Sequence, residues 1–416
     1  MRIALVCNDT RGGIQPYVAL AKGLRDAGHT VRVIAPGAFS AMVLGAGLPM
    51  APLSGHSEDL LRTGGAERGT LAAIRMMRQH MPRMMANWTV ETLDACADMD
   101  MMVGGVGGMV IGLAVAEKLG IPFIAAHLQP IAAPSSAYPG VLLANVPDWL
   151  GPLGRRASHS FSDAALWMSF KPVMARTRRQ ALGLTGRPKP ADDRLALYGF
   201  SNHVVPMPPA PNRHVTGYWP LAAPADWQPP ADLLAFLAQD GPVISIGFGS
   251  MANQDAGAVT ELVLGAVRDA GTRAVLLSGW GGLRHADSQE NVFWADALPH
   301  DWLFPRMTAI VHHGGAGTTG AALTAGRPSI IIPYAVDQPF WASRVVAMGV
   351  GPKPVPRRRL TRKALATIIA EAIGNHDMQR RAADLGALLR QENGVHGAVT
   401  RLGELKLSRT WTNNQN

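Results

Sequence analysis

The sequence predicts an α/β protein made of two Rossmann-like domains that face each other across an interdomain cleft. At 416 residues, the chain is too long for one ordinary hydrophobic core. Strand-like and helix-like segments alternate on both sides of a proline-rich stretch, which has the composition of a linker. We therefore expect an N-terminal domain over residues 1–208, a linker over 209–235 and a C-terminal domain over 236–416, whose last helix could pack back on the first domain.

The N-terminal domain opens with a strand, a helix and a second strand, which is the βαβ unit of such folds. These three elements are predicted over Arg2–Cys7, Ile14–Ala27 and Thr30–Ala35. Further elements are predicted as a helical region over 59–97, a strand over Asp100–Val103, a helix over Met109–Leu119 and a strand over Ile121–Ala126. Residues 131–160 have a loop-like composition.

The C-terminal domain repeats this alternation. Its predicted elements are a strand over 242–247, a helix over 256–270, a strand over 273–278, a strand over 307–311, a helix over 321–325, a strand over 329–333 and a helical segment from about residue 361. Because each strand is followed by a helix, we expect a parallel sheet in each domain.

Composition excludes several classes of protein. A hydrophobic content of 47% with a charged content of 17% is typical of a globular chain without long disorder. The net charge of +9 is dispersed and no nucleic-acid motif accompanies it, so we expect no nucleic-acid partner. Cys7 and Cys96 have no CxxC spacing, and the first strand is too short for a signal sequence. These features predict a cytoplasmic protein without a disulfide framework.

The most informative stretch is His312–Thr319, a glycine-rich turn between a strand-like and a helix-like segment. Such a turn exposes backbone N–H groups at a helix N-terminus, where the helix dipole favours an anion. Histidines at its mouth can donate further hydrogen bonds to phosphate oxygens. The candidate phosphate-binding residues are His312, His313, Gly314, Gly315, Gly317 and Thr318, and His312 is the better histidine contact by the family pattern described below.

Asp337 and Gln338 follow the next predicted strand. A carboxylate and an amide at the carboxyl end of a strand are well placed to bind hydroxyl groups, because open α/β sheets bind ligands at that edge. A diphosphate on one loop and a polyol on the next together predict a nucleotide-sugar site.

The segments 298–305, 312–319 and 337–341 together resemble the donor-binding signature of family 1 UDP-glycosyltransferases. The resemblance is closest to the bacterial sterol-glucosyltransferase-like and antibiotic glycosyltransferase branch. It is dense over 240–360 and returns over 1–45, where Asn8–Pro16 resembles that branch's Gly-Thr-Arg-Gly-Asp turn. The resemblance implies the GT-B fold.

The resemblance also implies an activity. A family member of this kind is an inverting, metal-independent glycosyltransferase that moves a hexose from a UDP- or dTDP-sugar to a hydroxyl of a hydrophobic small molecule. We therefore predict no metal and no cofactor beyond the NDP-sugar co-substrate. The resemblance assigns Ser250, Leu298 and His300 to the donor site, and Arg11, Gly12 and Gly13 to the acceptor side of the cleft.

Two positions depart from the family pattern. Plant members stack the base on a tryptophan where this chain has Ala297, so Trp280 is a candidate for the missing aromatic surface, although it could equally be a core residue. The candidate base of the antibiotic branch is an aspartate, and Gly13 takes its place here. Asp9 is the first candidate to replace it and His127 is the second. Asp9 could instead cap the first helix, and His127 could be a residue of the cleft wall.

Two other motifs favour weaker interpretations. Gly247–Ala252 fits the loose GxGxxA dinucleotide pattern, but no carboxylate follows the next predicted strand, which argues against a dehydrogenase. Asp98 and Asp100 imitate a metal-binding DxD motif, but they precede their strand and are expected to be solvated caps.

The acceptor is predicted to be bulky and apolar, such as a sterol, polyketide, macrolide or lipid alcohol. Apolar side chains with interspersed arginines suit such an acceptor or a peripheral membrane contact, although residues at helical spacing can also be core. These side chains are Met76, Met77, Met81, Met84, Met85, Trp88, Phe161, Trp167 and Phe170, and the run Arg176–Arg179 accompanies them. An NDP-sugar epimerase and a non-catalytic auxiliary paralogue are the alternatives. No pattern indicates a particular oligomeric state.

Overall fold

The computed structural model describes residues 1–55, 70–144, 146–249, 255–279, 283–284 and 289–405. It contains two parallel sheets, one in each half of the chain. The predicted fold class, two Rossmann-like α/β domains facing a cleft, is confirmed.

The N-terminal sheet has seven strands in the order β3-β2-β1-β4-β5-β6-β7. The strands are β1 (Arg2–Val6), β2 (Thr30–Pro36), β3 (Met50–Leu53), β4 (Met101–Gly104), β5 (Phe123–His127), β6 (Ala196–Tyr198) and β7 (Arg213–Val215). The last of these strands lies within the stretch predicted to be a linker.

Helices cover both faces of this sheet, which is why its central strands β1, β4 and β5 are apolar and buried along almost their whole length. They are α1 (Arg11–Asp26), α2 (Ser40–Gly45), α3 (Thr70–Cys96), α4 (Val106–Leu119) and α5 (Gly151–Leu182). On one face Ile3 and Leu5 pack with Ile14 of α1. On the other face Ala4 and Val6 pack with residues of α3 and α4.

The C-terminal sheet has five strands in the order β10-β9-β8-β11-β12. They are β8 (Val243–Gly247), β9 (Arg273–Leu277), β10 (Val292–Ala295), β11 (Ala309–His312) and β12 (Ser329–Ile331). The accompanying helices are α6 (Ala231–Leu237), α7 (Ala256–Asp269), α8 (His300–Leu303), α9 (Ala316–Thr324), α10 (Gln338–Ala347), α11 (Arg362–Gly374), α12 (His376–Leu389) and α13 (Gly394–Gly403). The final helix, α13, crosses to the N-terminal domain, where Ala398 and Leu402 are buried in its core.

Both sheets reverse their strand order beside their first strand, at β1–β4 and at β8–β11. Ligands of open α/β sheets bind at this switch point, at the carboxyl ends of the strands. The loops that follow β1 and β11 both line one cavity, so the two switch points face the same cleft.

The sequence left open whether several side chains have a functional role. In the structure, four of them lie in the core or form ion pairs. Met85 and Trp88 are buried in the core, and Trp88 donates a hydrogen bond to the carbonyl oxygen of Ser54 at 2.7 Å. Asp98 and Asp100 form ion pairs with Arg32 at 2.7 Å and with Arg2 at 2.6 Å. The side chains of Met76, Met77 and Met81 lie outside the described ones.

The segment 131–160 is only partly a loop, because α5 begins at Gly151 and runs to Leu182. Among the described helices, none combines the length and the apolar character that crossing a bilayer would need.

Candidate functional site

A cavity of about 1220 Å³ lies between the two domains. Its walls come from the loops after β1 and β5 on one side and after β8, β11 and β12 on the other. Drug-sized ligand sites are typically 300–1,000 Å³, so this cavity has room for more than one small molecule. The structure places Asp9, Arg11, Gly12, Gly13, Leu298, His300, His312, His313, Gly315, Gly317, Thr318, Asp337 and Gln338 along its walls.

The glycine turn begins where β11 ends at His312. Gly314 has a φ of +92°, a left-handed conformation that favours glycine, and a Cβ there would lie 2.6 Å from Cγ2 of Ile331. The Gly314 N–H donates to Nδ1 of His312 at 3.1 Å. Because Nδ1 accepts this bond, the proton of the neutral ring is on Nε2. Nε2 is buried and has no hydrogen-bond partner among the described residues, and His312 is one of the residues that line the cavity.

Three histidines meet at this wall of the cavity. Burial, reinforced by His313 and His300, holds the pKa of His312 well below its usual value. Burial lowers the pKa of His313 to about 4, and burial together with Arg11 and His313 lowers that of His300 to about 4. At neutral pH these rings are therefore uncharged and donate hydrogen bonds as neutral groups.

Two helix N-termini converge on the cavity, those of α1 and α9. Neither has a side-chain cap or an acidic residue in its first turn. They approach so closely that a Cβ on Gly317 would lie 3.0 Å from the carbonyl oxygen of Gly12. Uncapped N–H groups and two converging dipoles make this point a favourable place for an anion.

Asp337 is held from both domains. Its Oδ2 accepts a hydrogen bond from Nε2 of Gln129 at 3.1 Å and another from Nε1 of Trp341 at 3.0 Å. Burial raises the pKa of Asp337, and the bonds from Gln129 and Trp341 counteract that rise. Sequence reasoning missed Gln129, although its position just after the strand that ends in His127 was a usable signal.

The loop that carries Asp337 is fixed by its neighbours. Oε1 of Gln338 accepts from the N–H groups of Tyr334 at 2.7 Å and Ala335 at 3.2 Å. Val336 has a φ of +58°, a strained conformation for a β-branched residue. The side-chain oxygen of Gln338 thus holds the loop in shape, which is a structural role for part of the amide that was predicted to bind sugar hydroxyls.

Asp9 occupies the space left by the glycine at position 13. A Cβ built on Gly13 would overlap the carboxylate of Asp9. Oδ1 of Asp9 accepts from the N–H of Thr10 at 2.6 Å, and Thr10 is the N-cap residue of α1. The carboxylate lies at the cavity wall where a side chain of residue 13 would start.

His127 is placed differently. It is only 3% exposed and is not among the residues that line the cavity. Its ring packs 5.3 Å from that of Tyr198, and burial lowers its pKa to about 4. The structure therefore puts His127 behind the cleft wall.

Of the remaining predicted donor residues, two lie at the cavity wall and two lie outside the described residues. Leu298 is buried at the cavity wall, and the ring of His300 stacks on Phe304 at 4.2 Å. Arg11, which was predicted for the acceptor side, also lines the cavity, and burial lowers its pKa. Ser250 and Trp280 lie outside the described residues.

Two family models match the chain. Residues 3–137 match the glycosyltransferase family 28 N-terminal domain, and residues 282–394 match the erythromycin biosynthesis protein CIII-like C-terminal domain. Among curated proteins, the chain is 33% identical to a sterol 3-beta-glucosyltransferase of Arabidopsis thaliana, over 96% of this chain and 64% of that protein. It is 34% identical to a sterol 3-beta-glucosyltransferase of Aspergillus clavatus, over 96% of this chain and 29% of that protein. The chain thus spans less than two thirds of each of these relatives.

Solved structures share the whole fold at lower identity. A glycosyltransferase of Streptomyces sp. SF2575 in complex with thymidine diphosphate has a TM-score of 0.64 and 20% identity, and the match covers 97% of this chain and 100% of that one. The calicheamicin glycosyltransferase has a TM-score of 0.66 and 18% identity, with coverage of 97% and 98%.

Proposed function

Because the chain belongs to the family 1 glycosyltransferases with a GT-B fold, we propose that it transfers a hexose from an NDP-sugar to a hydrophobic acceptor. The donor is a UDP- or dTDP-sugar, the acceptor group is a hydroxyl, and the anomeric carbon is inverted. The acceptor is a bulky apolar small molecule of the sterol, polyketide, macrolide or lipid type.

One observation carries the donor side of this proposal. Nε2 of His312 is a buried donor that has no partner in the described part of the chain, and it lies at the glycine turn that opens α9. A diphosphate there would receive hydrogen bonds from this ring and from the N–H groups of α9, while the N-terminus of α1 adds its dipole. Asp337 would then bind sugar hydroxyls next to the diphosphate, on the loop after β12.

The proposed chemistry is a single displacement. The acceptor oxygen attacks the anomeric carbon, its proton passes to the carboxylate of Asp9, and the bond from the anomeric carbon to the diphosphate oxygen breaks. Negative charge grows on the leaving diphosphate, where helix N–H groups and neutral histidines stabilise it. No metal ion takes part in this proposal.

Asp9 is the preferred base because its carboxylate fills the space that a side chain at position 13 would occupy. His127 lacks direct access to the cavity.

A transfer assay tests the whole proposal. The protein is incubated with a panel of UDP- and dTDP-sugars and hydrophobic alcohols, and the products are identified by mass spectrometry. NMR then determines the anomeric configuration, which should be opposite to that of the donor. Conversion of the donor sugar without any acceptor would instead indicate an NDP-sugar epimerase. Binding of NDP-sugar without turnover of any pair would indicate an auxiliary paralogue.

A further inference from the structure

Large exposed apolar side chains are concentrated in one segment of the described chain. Of twelve such residues, seven lie between positions 142 and 168. They are Leu142, Leu143, Trp149, Leu150, Leu153, Phe161 and Met168, and Trp149 and Leu153 are each 82% exposed. Scattered single apolar residues are normal on a surface, but a cluster of this size marks an interaction site.

Most of these residues form one stripe along α5 and its entry turn. Leu150, Leu153, Ala157, Phe161, Ala164 and Met168 follow each other at intervals of three and four residues, and all are exposed. At 1.5 Å per residue the stripe is about 27 Å long. We call these six residues the α5 stripe.

The opposite face of the helix reverses the usual pattern. Ser158, His159 and Ser162 are each no more than 4% exposed. Their polar atoms fasten the preceding loop: Ser158 accepts from the N–H of Gly140 at 2.8 Å, and His159 bonds to the carbonyl oxygen of Tyr138 at 3.0 Å. In the first three turns of the helix these polar side chains therefore face inward while the apolar residues of the α5 stripe face outward, which contradicts a purely solvent-facing role.

The charges beside the stripe indicate what covers it. Within α5 the sequence has six Lys and Arg residues and a single Asp, and one of the six, Arg178, is buried in an ion pair with Glu117. Arg156 and Lys171, which flank the α5 stripe, are both exposed. A helix with exposed Leu, Phe and Met on one face, a Trp in its entry turn and basic residues beside them is suited to lie in the interface of an anionic lipid bilayer.

The stripe is also continuous with the acceptor part of the cavity. Leu166 and Phe170 of α5 line the cavity from the other side of the helix, and Leu142 both lines it and is 36% exposed. We propose that the α5 stripe, with Trp149, Arg156 and Lys171, is a docking surface for anionic membranes that holds the cavity mouth at the bilayer. The consequence for acceptor entry rests on the proposed function, whereas the docking itself does not.

Vesicle co-sedimentation tests the docking without any turnover. The full chain is mixed with vesicles of phosphatidylcholine containing about one quarter phosphatidylglycerol, a composition that attracts basic segments. Wild-type protein should sediment with them, and Leu153→Ser combined with Phe161→Ser should weaken binding roughly tenfold or more. Arg156→Glu should weaken it about fivefold or more, and salt should mask that effect. Leu388→Ser, at a site 43% exposed in the C-terminal domain, is the matched control and should bind normally.

Three results would overturn the proposal. The first is wild-type protein that does not sediment with either anionic or neutral vesicles. The second is an equal loss of binding in the control variant. The third is a stable dimer that the double substitution dissociates, with no vesicle binding, because a second copy would then cover the stripe.

A transfer assay separates this proposal from the proposed function. The double variant should lose kcat/KM for an acceptor embedded in vesicles and keep it for a short water-soluble alcohol. If no acceptor is ever glycosylated, the proposed function fails while the sedimentation result still decides the docking.

Discussion

At the scale of the residue, the site depends on how two side chains, those of His312 and Asp9, are placed. His312 has its proton fixed on Nε2 by the bond that Gly314 donates to Nδ1. Asp9 has its carboxylate where another side chain would otherwise start. Each of these arrangements leads to a mutation with a defined outcome.

His312→Ala should lower the affinity for free nucleoside diphosphate roughly tenfold or more, because it removes a hydrogen bond to a charged acceptor worth about 1.5–3 kcal/mol. Isothermal titration calorimetry measures this directly, with circular dichroism to show that the fold survives. An unchanged dissociation constant would contradict the assignment of His312 to the diphosphate.

Asp9→Asn should reduce turnover at least about a hundredfold and leave donor affinity unchanged, because a general base contributes typically 10²–10⁴-fold. Gly13→Ala should also be inactive, since its Cβ would displace the carboxylate of Asp9. The double variant Asp9→Gly with Gly13→Asp moves the carboxylate back to position 13 and should recover part of the lost turnover. Full activity of Asp9→Asn, with loss in His127→Ala, would assign the base to His127.

The buried histidines make stability depend on pH. A histidine whose pKa is lowered by folding binds fewer protons in the folded than in the unfolded chain. Its contribution is therefore fully present above the unfolded value of 6.5 and is lost as the pH falls toward 4, the folded pKa of His127, His300 and His313. The free energy of unfolding, measured with urea, should fall between about pH 7.5 and pH 5, by on the order of 2 kcal/mol for each such ring. In His127→Asn, the fall in the free energy of unfolding over this pH range should be smaller by the contribution of one ring. A fall as large as that of the wild type would contradict the lowered pKa of His127.

At the scale of the element, the contact between α1 and α9 brings together the two helix N-termini at the diphosphate position. Gly317→Val should impair closure of the cleft and lower turnover, because even a Cβ there would lie 3.0 Å from the Gly12 carbonyl oxygen. Gly12→Ala is the matched control, since a Cβ on Gly12 would meet nothing within 4 Å. Steady-state kinetics and small-angle scattering would measure the effect. Equal activity of both variants would show that this close approach is not needed.

Helix α5 explains the least successful part of the sequence prediction. Its first ten residues fall within the segment 131–160 that composition assigned to a loop. Periodicity identifies a helix by an apolar face turned toward the core. In α5 the buried Ser158, His159 and Ser162 reverse that pattern, so the hydrophobic signal pointed away from the core.

At the scale of the whole molecule, the hydrogen bond from Gln129 to Asp337 joins the acceptor side of the cleft to the donor loop. Gln129→Leu should lower kcat/KM by about tenfold or more, the value of one hydrogen bond to a charged group, and leave binding of free NDP nearly intact. Asp337→Ala should have the same signature with a larger loss of turnover and sugar selectivity. The double variant should lose less transition-state stabilisation, calculated from kcat/KM, than the sum of the losses in the two single variants, because both substitutions remove the same hydrogen bond. Equal loss of NDP binding would show that the pair has a nucleotide-binding or structural role.

The sequence by itself determined the two α/β halves, the glycine turn and the candidate donor residues on strand ends. These features depend on local chemistry: apolar strands, helix stop signals, and glycine where the backbone turns sharply, as at Gly314. The tertiary structure alone decided which groups meet. Asp9 lies over Gly13, Gln129 reaches Asp337 across 208 positions of sequence, and three histidines lose their charge through shared burial. The physical reason is that distance, burial and charge coupling between residues far apart in sequence are set by how the domains pack, and no local pattern records that packing.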